Sequence, residues 1–420
     1  MDFVSGSGFA DFSTELEDFG VKKVKKYDRQ WSVGQGGSIC SDPAIADGKI
    51  FFGSCDHNVY AVDAKTGNEV WRFRADGIIE CSSPLVMGGI LYIGSHAGDF
   101  HAIDVRNGKG IWKYITGGDI ASSPSGNGKY VYIGSRDGYF YALDAKTGTL
   151  VWRFRTGDSV SSASVVHANM VFFGSYDSNF YCLDTENGKE LWRYKTGGEL
   201  FLVHKPLVDG DSVYFGCFDN YLYALNIRNG SLVWKFKTGE YGNSSGPAIH
   251  GNVLYHGARD GVLFAIDSKT GREIWRFSGG RDSMSIVPLV YENRIYFGSG
   301  DTNFYCLDMN GKELWRFKTD GHAWCNPVEF SGSVIFCSWD CHAYSLDCVT
   351  GKLNWKFATS NMSMSSLPPP YDAYEVEVKK FITNDDSKDD EKYDVNVSED
   401  ISNESEYSVK SEYVFKSEYA

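Results

Sequence analysis

No stretch of this sequence approaches the roughly eighteen or more consecutive apolar residues of a membrane span, so a spanning helix is not expected. The opening MDFVSGSGFADFSTELEDFG carries acids where a secretory signal needs positive charge, and it has no continuous apolar core. Export is therefore not expected, and the reading places the chain in the cytoplasm. There is no basic stripe that could neutralise a run of phosphates, which argues against nucleic acid as a partner. Proline is scarce, ten in 420 residues, and three of these stand together at 368–370. The formal charge is −14, but residues 368–420 hold fifteen acids against six lysines, so most of the imbalance is local to that end.

Chemistry-bearing motifs are also missing. The sequence has no GxxxxGK[ST], no HExxH, no CxxCH, no DxDxDG and no GxSxG set between a strand and a helix. It has no CxxC and no adjacent cysteine pair, although it contains ten cysteines. Those cysteines fall where the corresponding positions elsewhere carry small residues: Cys182 and Cys306 stand in FYCLD where Ala142 stands in FYALD. They behave as small, soft core residues, and free thiols in a reducing compartment are expected.

What is abundant is one phrase. AVDAKTGNEVWRFR at 61–74 returns as ALDAKTGTLVWRFR at 142–155. Tryptophans at 31, 71, 112, 152, 192, 234, 275, 315 and 355 are separated by 40, 41, 40, 40, 42, 41, 40 and 40 residues. A period near forty with several short strands per unit is the mark of a propeller blade. Each unit has four runs rich in Val, Ile, Tyr and Phe, of the forms CSSPLVM, VYIGS, YFYALD and LVWRFRTG, bounded by Gly, Asp or Asn. That predicts four antiparallel strands joined by tight turns. Between the third and fourth runs Gly67, Gly108, Gly148, Gly188, Gly230, Gly271, Gly311 and Gly351 form an unbroken column, which implies a backbone position where a side chain would clash.

The pattern A-x-D-x-x-x-G-x-x-x-W, as in Ala142, Asp144, Gly148 and Trp152, resembles the tryptophan-docking repeat of the PQQ-like propellers, the eight-bladed quinoprotein alcohol dehydrogenase family. The resemblance covers residues 31–358 and implies that each Trp packs between neighbouring blades. The expected fold is thus all-β: an eight-bladed propeller of four-stranded antiparallel blades over 31–358. An N-terminal extension (1–30), an extended connector (359–382) and a disordered acidic tail (383–420) complete the expected chain. Nine Trp-bearing strands meet eight hairpins. The short loop Cys348 to Lys352 assigns Trp355 to the last blade, leaving Trp31 to brace the closure from outside; the reverse assignment is the alternative.

Enzymes of the resembling family, as the resemblance implies, hold the quinone at the channel mouth beside calcium bound by acid and amide side chains, usually with a vicinal disulfide. The missing Cys-Cys pair and signal peptide make a PQQ-dependent dehydrogenase with calcium the alternative, and a non-catalytic binding scaffold without a cofactor the main reading. Where repeats agree they report structure, so departures from the repeat are the place to seek function. Entering the first strands, the common Ser-Ser-Pro gives way to His204-Lys205-Pro206 in blade five, to His322 and Trp324 in blade eight, and gains Glu80 in blade two. After the second strand, a variable column holds Arg136, Arg259 and Trp339. By strand alternation both sets belong to one rim. Arg and Trp dominate interface hot spots, and this mixture suits a protein partner or a small anionic or aromatic ligand better than a hard metal, bound by a monomer.

Overall fold

The computed structural model describes residues 37–201, 204–279 and 286–359. The expected N-terminal extension, Trp31, and the connector and tail beyond residue 359 lie outside the described residues. Within them are eight separate four-stranded antiparallel sheets, each in simple sequential order. They span 44–74, 85–115, 125–155, 165–195, 207–237, 248–277, 289–318 and 328–358. No described helix is long and apolar enough to cross a membrane.

The strand chemistry follows from position in the blade. The second strand, such as Tyr130–Gly134, and the third, such as Tyr139–Asp144, are buried on both faces because neighbouring blades cover each side. They therefore read as nearly continuous apolar runs. The fourth, Leu150–Arg155, is an outer edge strand and alternates exposed with half-buried positions, with Arg153 and Arg155 turned to solvent.

The glycine column is explained by the tryptophans. Gly148 sits at φ +70°, and a β-carbon there would stand 2.6 Å from the Trp112 ring of the preceding blade. The same indole donates from Nε1 to the Ala145 carbonyl at 3.1 Å. Every blade repeats this pairing with the next. Trp355, in the strand Leu353–Ala358, completes blade eight and closes the ring: it packs on Gly67 of blade one and donates to the Ala64 carbonyl at 3.1 Å. Loss of that cover would expose the paired faces of both blades, since a blade cannot bury both of its own faces.

A second constant bond pins the turn between the second and third strands. Tyr141 donates its hydroxyl to Asp137 Oδ2 at 2.6 Å, and the same oxygen accepts from Gly117 N of the preceding blade at 2.8 Å. Equivalent Tyr–Asp links join Tyr60 to Asp56, Tyr181 to Asp177, Tyr223 to Asp219, Tyr305 to Asp301 and Tyr344 to Asp340. These turn aspartates are thus caps. Blade two swaps both members together: Ala97 takes the Asp place, His101 the Tyr place, and Asp99 bonds His101 and Ser95 instead.

Candidate functional site

In six blades the turn after the second strand is tied by a backbone bond to the segment entering the first strand. Cys55 N donates to Ser38 O, His96 N to Ile78 O, Arg136 N to Asp119 O, Tyr176 N to Ser159 O, Phe218 N to Glu199 O and Trp339 N to His322 O, at 2.9 to 3.3 Å. The two variable columns therefore share one rim. The opposite rim carries the Asp-x-x-x-Gly turns, where Asp144 Oδ1 caps Lys146 N and Thr147 N and the pattern barely changes from blade to blade.

The structure distributes the eight candidate residues into three clusters on the rim and one group in the channel. In blades two and three, Glu80 is buried and its Oε2 stands 3.4 Å from His96 Nε2. Burial and the neighbouring Arg136 guanidinium push the His96 imidazole down to about 3, so it meets Glu80 as a neutral ring. Arg136 donates from Nη1 to Asp119 Oδ2 at 2.8 Å. In blades five and six, Arg259 is buried with its guanidinium 5.2 Å from the centre of the Phe218 ring.

Blade eight gathers aromatics. His322 stacks on Trp324 at 4.6 Å, and Trp339 meets Trp324 edge-on at 4.9 Å. His322 Nδ1 is hydrogen-bonded to the Gly300 carbonyl. A β-carbon at Gly300 would stand 2.8 Å from Trp324 Nε1, so the absence of a side chain in blade seven makes room for the indole. Trp324 remains half-exposed at the mouth, whereas Trp339 is buried with its Nε1 lacking a hydrogen-bond acceptor.

His204 lies deeper. The link from Trp192 to Pro206 is two residues longer than the corresponding links of blades three and eight. The extra length lets blade five reach across the axis, because blades one and five face each other in a ring of eight. His204 Nδ1 lies 3.0 Å from Asp42 Oδ2 of blade one and 3.0 Å from Asn326 Nδ2 of blade eight. Asn326 in turn donates its backbone N to Asp42 Oδ1 at 2.7 Å and its Nδ2 to Asp42 Oδ2 at 2.8 Å. The channel is bridged at this level by an acid, an amide and an imidazole. Lys205, next in the chain, is exposed to solvent, yet desolvation by the surrounding ring lowers its pKa while the Asp42 carboxylate acts in the opposite sense.

Asp42 and Asn326 were not among the candidates from sequence. The signal was present: both stand immediately before a proline, in the column that holds Ser83, Ser123 and Lys205 in blades two, three and five. They are also the acid and amide at the channel that a calcium-bound quinone would call on. Both Asp42 oxygens are engaged as described, and Asn326 Oδ1 accepts from Val287 N at 2.7 Å. Among the described residues no group of three or more His, Cys, Asp or Glu is arranged to hold a metal ion. No chemical step is derived through that cofactor.

The family model described as outer membrane protein assembly factor BamB matches residues 28–123, 115–258 and 259–380. The chain belongs to that family of PQQ-like propeller repeats. Among solved structures, BamB from Moraxella catarrhalis is 19% identical with a TM-score of 0.62, covering 71% of this chain and 91% of its own. The computationally designed Ika8 protein is 17% identical with a TM-score of 0.65, covering 78% of this chain and 98% of its own. At these identities the likeness is one of fold. No curated protein matches the chain in sequence.

Proposed function

We propose that this propeller is a non-catalytic scaffold that holds a protein partner against the rim bearing the turns between second and third strands. The observation that carries the reading is the concentration on that rim of the part-exposed Arg136 and Trp324, backed by the buried Arg259 and Trp339, opposite a rim of near-identical turns. Arg and Trp supply large contact area and directed hydrogen bonds, and they anchor interfaces where they cluster. Glu80, His204, Lys205 and His322 add charge and polarity around and inside the mouth. The relationship to a family whose model is named for an assembly factor supports partner binding in general. A monomer in the cytoplasm, working without a cofactor, belongs to the same proposal.

The test compares proteins captured from the native host by the wild type, by Trp324→Ala with Arg136→Ala, and by Lys146→Ala with Lys189→Ala on the opposite rim. A partner lost only with the first pair supports the reading. A partner set unchanged by the first pair rejects it. Calcium-dependent dye reduction by purified protein supplied with PQQ would replace it with the dehydrogenase reading.

A further inference from the structure

Ring closure collects thiols. Seven of the ten cysteines lie in blades one, two and eight: Cys40, Cys55, Cys81, Cys325, Cys337, Cys341 and Cys348. Cys325 and Cys337 pack with Ile39 and Phe52 in one core across the seam, and Cys325 Sγ donates to the Ile39 carbonyl at 3.5 Å. Cys40 Sγ and Cys55 Sγ stand 4.0 Å apart on the rim. Cys40 and Cys55 fill in blade one the two facing slots that Trp324 and Trp339 fill in blade eight. The contact is therefore built by the repeat geometry and not by chance approach of two loops.

We propose that Cys40 and Cys55 are a reversible disulfide site that fastens the seam of the ring under oxidising conditions. The pair differs from Cys325 and Cys337, both of which are fully enclosed, because Cys40 is only half-buried and open to a small reagent. The segment that Cys40 belongs to already holds blade eight. Ile39 N donates to Ser338 O at 3.3 Å, Ser38 Oγ to Trp339 O at 2.7 Å, and Thr359 Oγ1 to Gly37 O at 2.5 Å. A bridge from Cys40 to Cys55 would tie that segment covalently to blade one, so that both sides of the seam are fixed through it.

The oxidant is a small disulfide such as glutathione disulfide. The Cys40 thiolate attacks one of its sulfurs and expels the first small thiolate. The Cys55 sulfur then displaces the second from Cys40, forming the protein S–S bond. The two thiol protons end on the two released small thiols, and one disulfide is exchanged for another. The hydrogen bond with Cys55, burial, and the nearby Glu80 and Cys81 hold the Cys40 thiol well above its ordinary range. Cys55 is pulled down by its bond to Cys40, but burial with Glu80 and Asp56 raises it overall. Little thiolate exists at neutral pH, so the exchange is slow there and quickens as pH rises.

The experiment treats the full chain with glutathione disulfide at pH 7 and pH 9 and maps the tryptic peptides without reduction. Lys49 lies between the two cysteines, and Arg72 and Arg74 separate Cys55 from Cys81, so the linkage is unambiguous. The expected result is a Cys40–Cys55 cross-linked pair that forms faster at pH 9. A Tm several degrees higher should accompany it, reverse with dithiothreitol, and be missing from Cys40→Ser. Exhaustive treatment that leaves this pair unlinked while glutathione appears on Cys341, or that links Cys40 to Cys81, would overturn the site. Linkage with no rise in Tm would overturn the fastening role. None of these outcomes depends on whether the rim binds a partner.

Discussion

The two rims of this propeller are built from the same strands and have been held to different standards. On one, the Asp-x-x-x-Gly turn recurs in nearly every blade, because its glycine must lie flat under a neighbouring tryptophan. On the other, seven of the eight turns keep one Asp, bonded to a buried Tyr in six blades, while the residue just before that position varies among Cys, His, Arg, Tyr, Phe, Gly and Trp. Packing explains the first rim fully. It explains only the constant half of the second, and the variable half is where recognition has room to be written.

The sharpest break in that comparison is at the closure. Trp355→Ala should cost about 3–5 kcal/mol by chemical denaturation, the range for deleting a large buried aromatic, because it uncovers Gly67 and opens the seam between blades eight and one. A loss under about 1 kcal/mol would show that the docking tryptophans do not bear the ring. Next in size is a contrast inside one turn. Tyr141→Phe leaves Asp137 short of a buried donor and should cost roughly 1–3 kcal/mol, while Arg136→Ala beside it removes a partly exposed ion pair and should cost about 1 kcal/mol or less. Equal costs would erase the distinction between constant and variable positions.

The rims should also separate by pH. His96 has an unfolded pKa of about 6.5 and is held in the fold at about 3. Below 6.5 the unfolded chain takes up a proton that the folded chain refuses, so stability present above 6.5 falls as pH drops toward 3. The limiting slope is about 1.4 kcal/mol per pH unit. His256, buried in blade six, is likewise held at about 3 and titrates in the same window. His96→Gln should therefore flatten the stability profile between pH 6.5 and 4 in part. On the opposite rim Asp63, Asp267 and Asp347 are lowered by hydrogen bonds from the threonine three residues on, hydroxyl first and then amide. Their contribution is present above their unfolded pKa near 4 and is lost only as pH falls through the lower folded value. A profile unaffected by His96→Gln would contradict the buried, neutral imidazole.

Much of this was legible in the sequence because a repeat reports its own constraints eight times. The glycine column announced a clash, and the structure supplies the indole that causes it. The short loop before Trp355 placed that strand in blade eight, where it lies. Strand alternation put the two variable columns on one rim. The bridge of His204, Asp42 and Asn326 was not legible, since it joins residues more than a hundred positions apart through a linker whose two extra residues give length but no direction. The gathering of cysteines at the seam was hidden for a related reason: small-residue slots explain each one singly, and only closure of the ring brings residues 40 and 55 beside residues 325 to 341.

Hydrogen exchange on the complex isolated from the native host addresses the central claim most directly. Protection on partner binding is expected in the turns 54–57, 95–98, 135–138, 218–220 and 338–341, together with the entering segment around His322 and Trp324, and not in the Asp-x-x-x-Gly turns. Protection confined to those uniform turns, or to the outer strands, would contradict the account by showing that the variable rim is not where the partner sits.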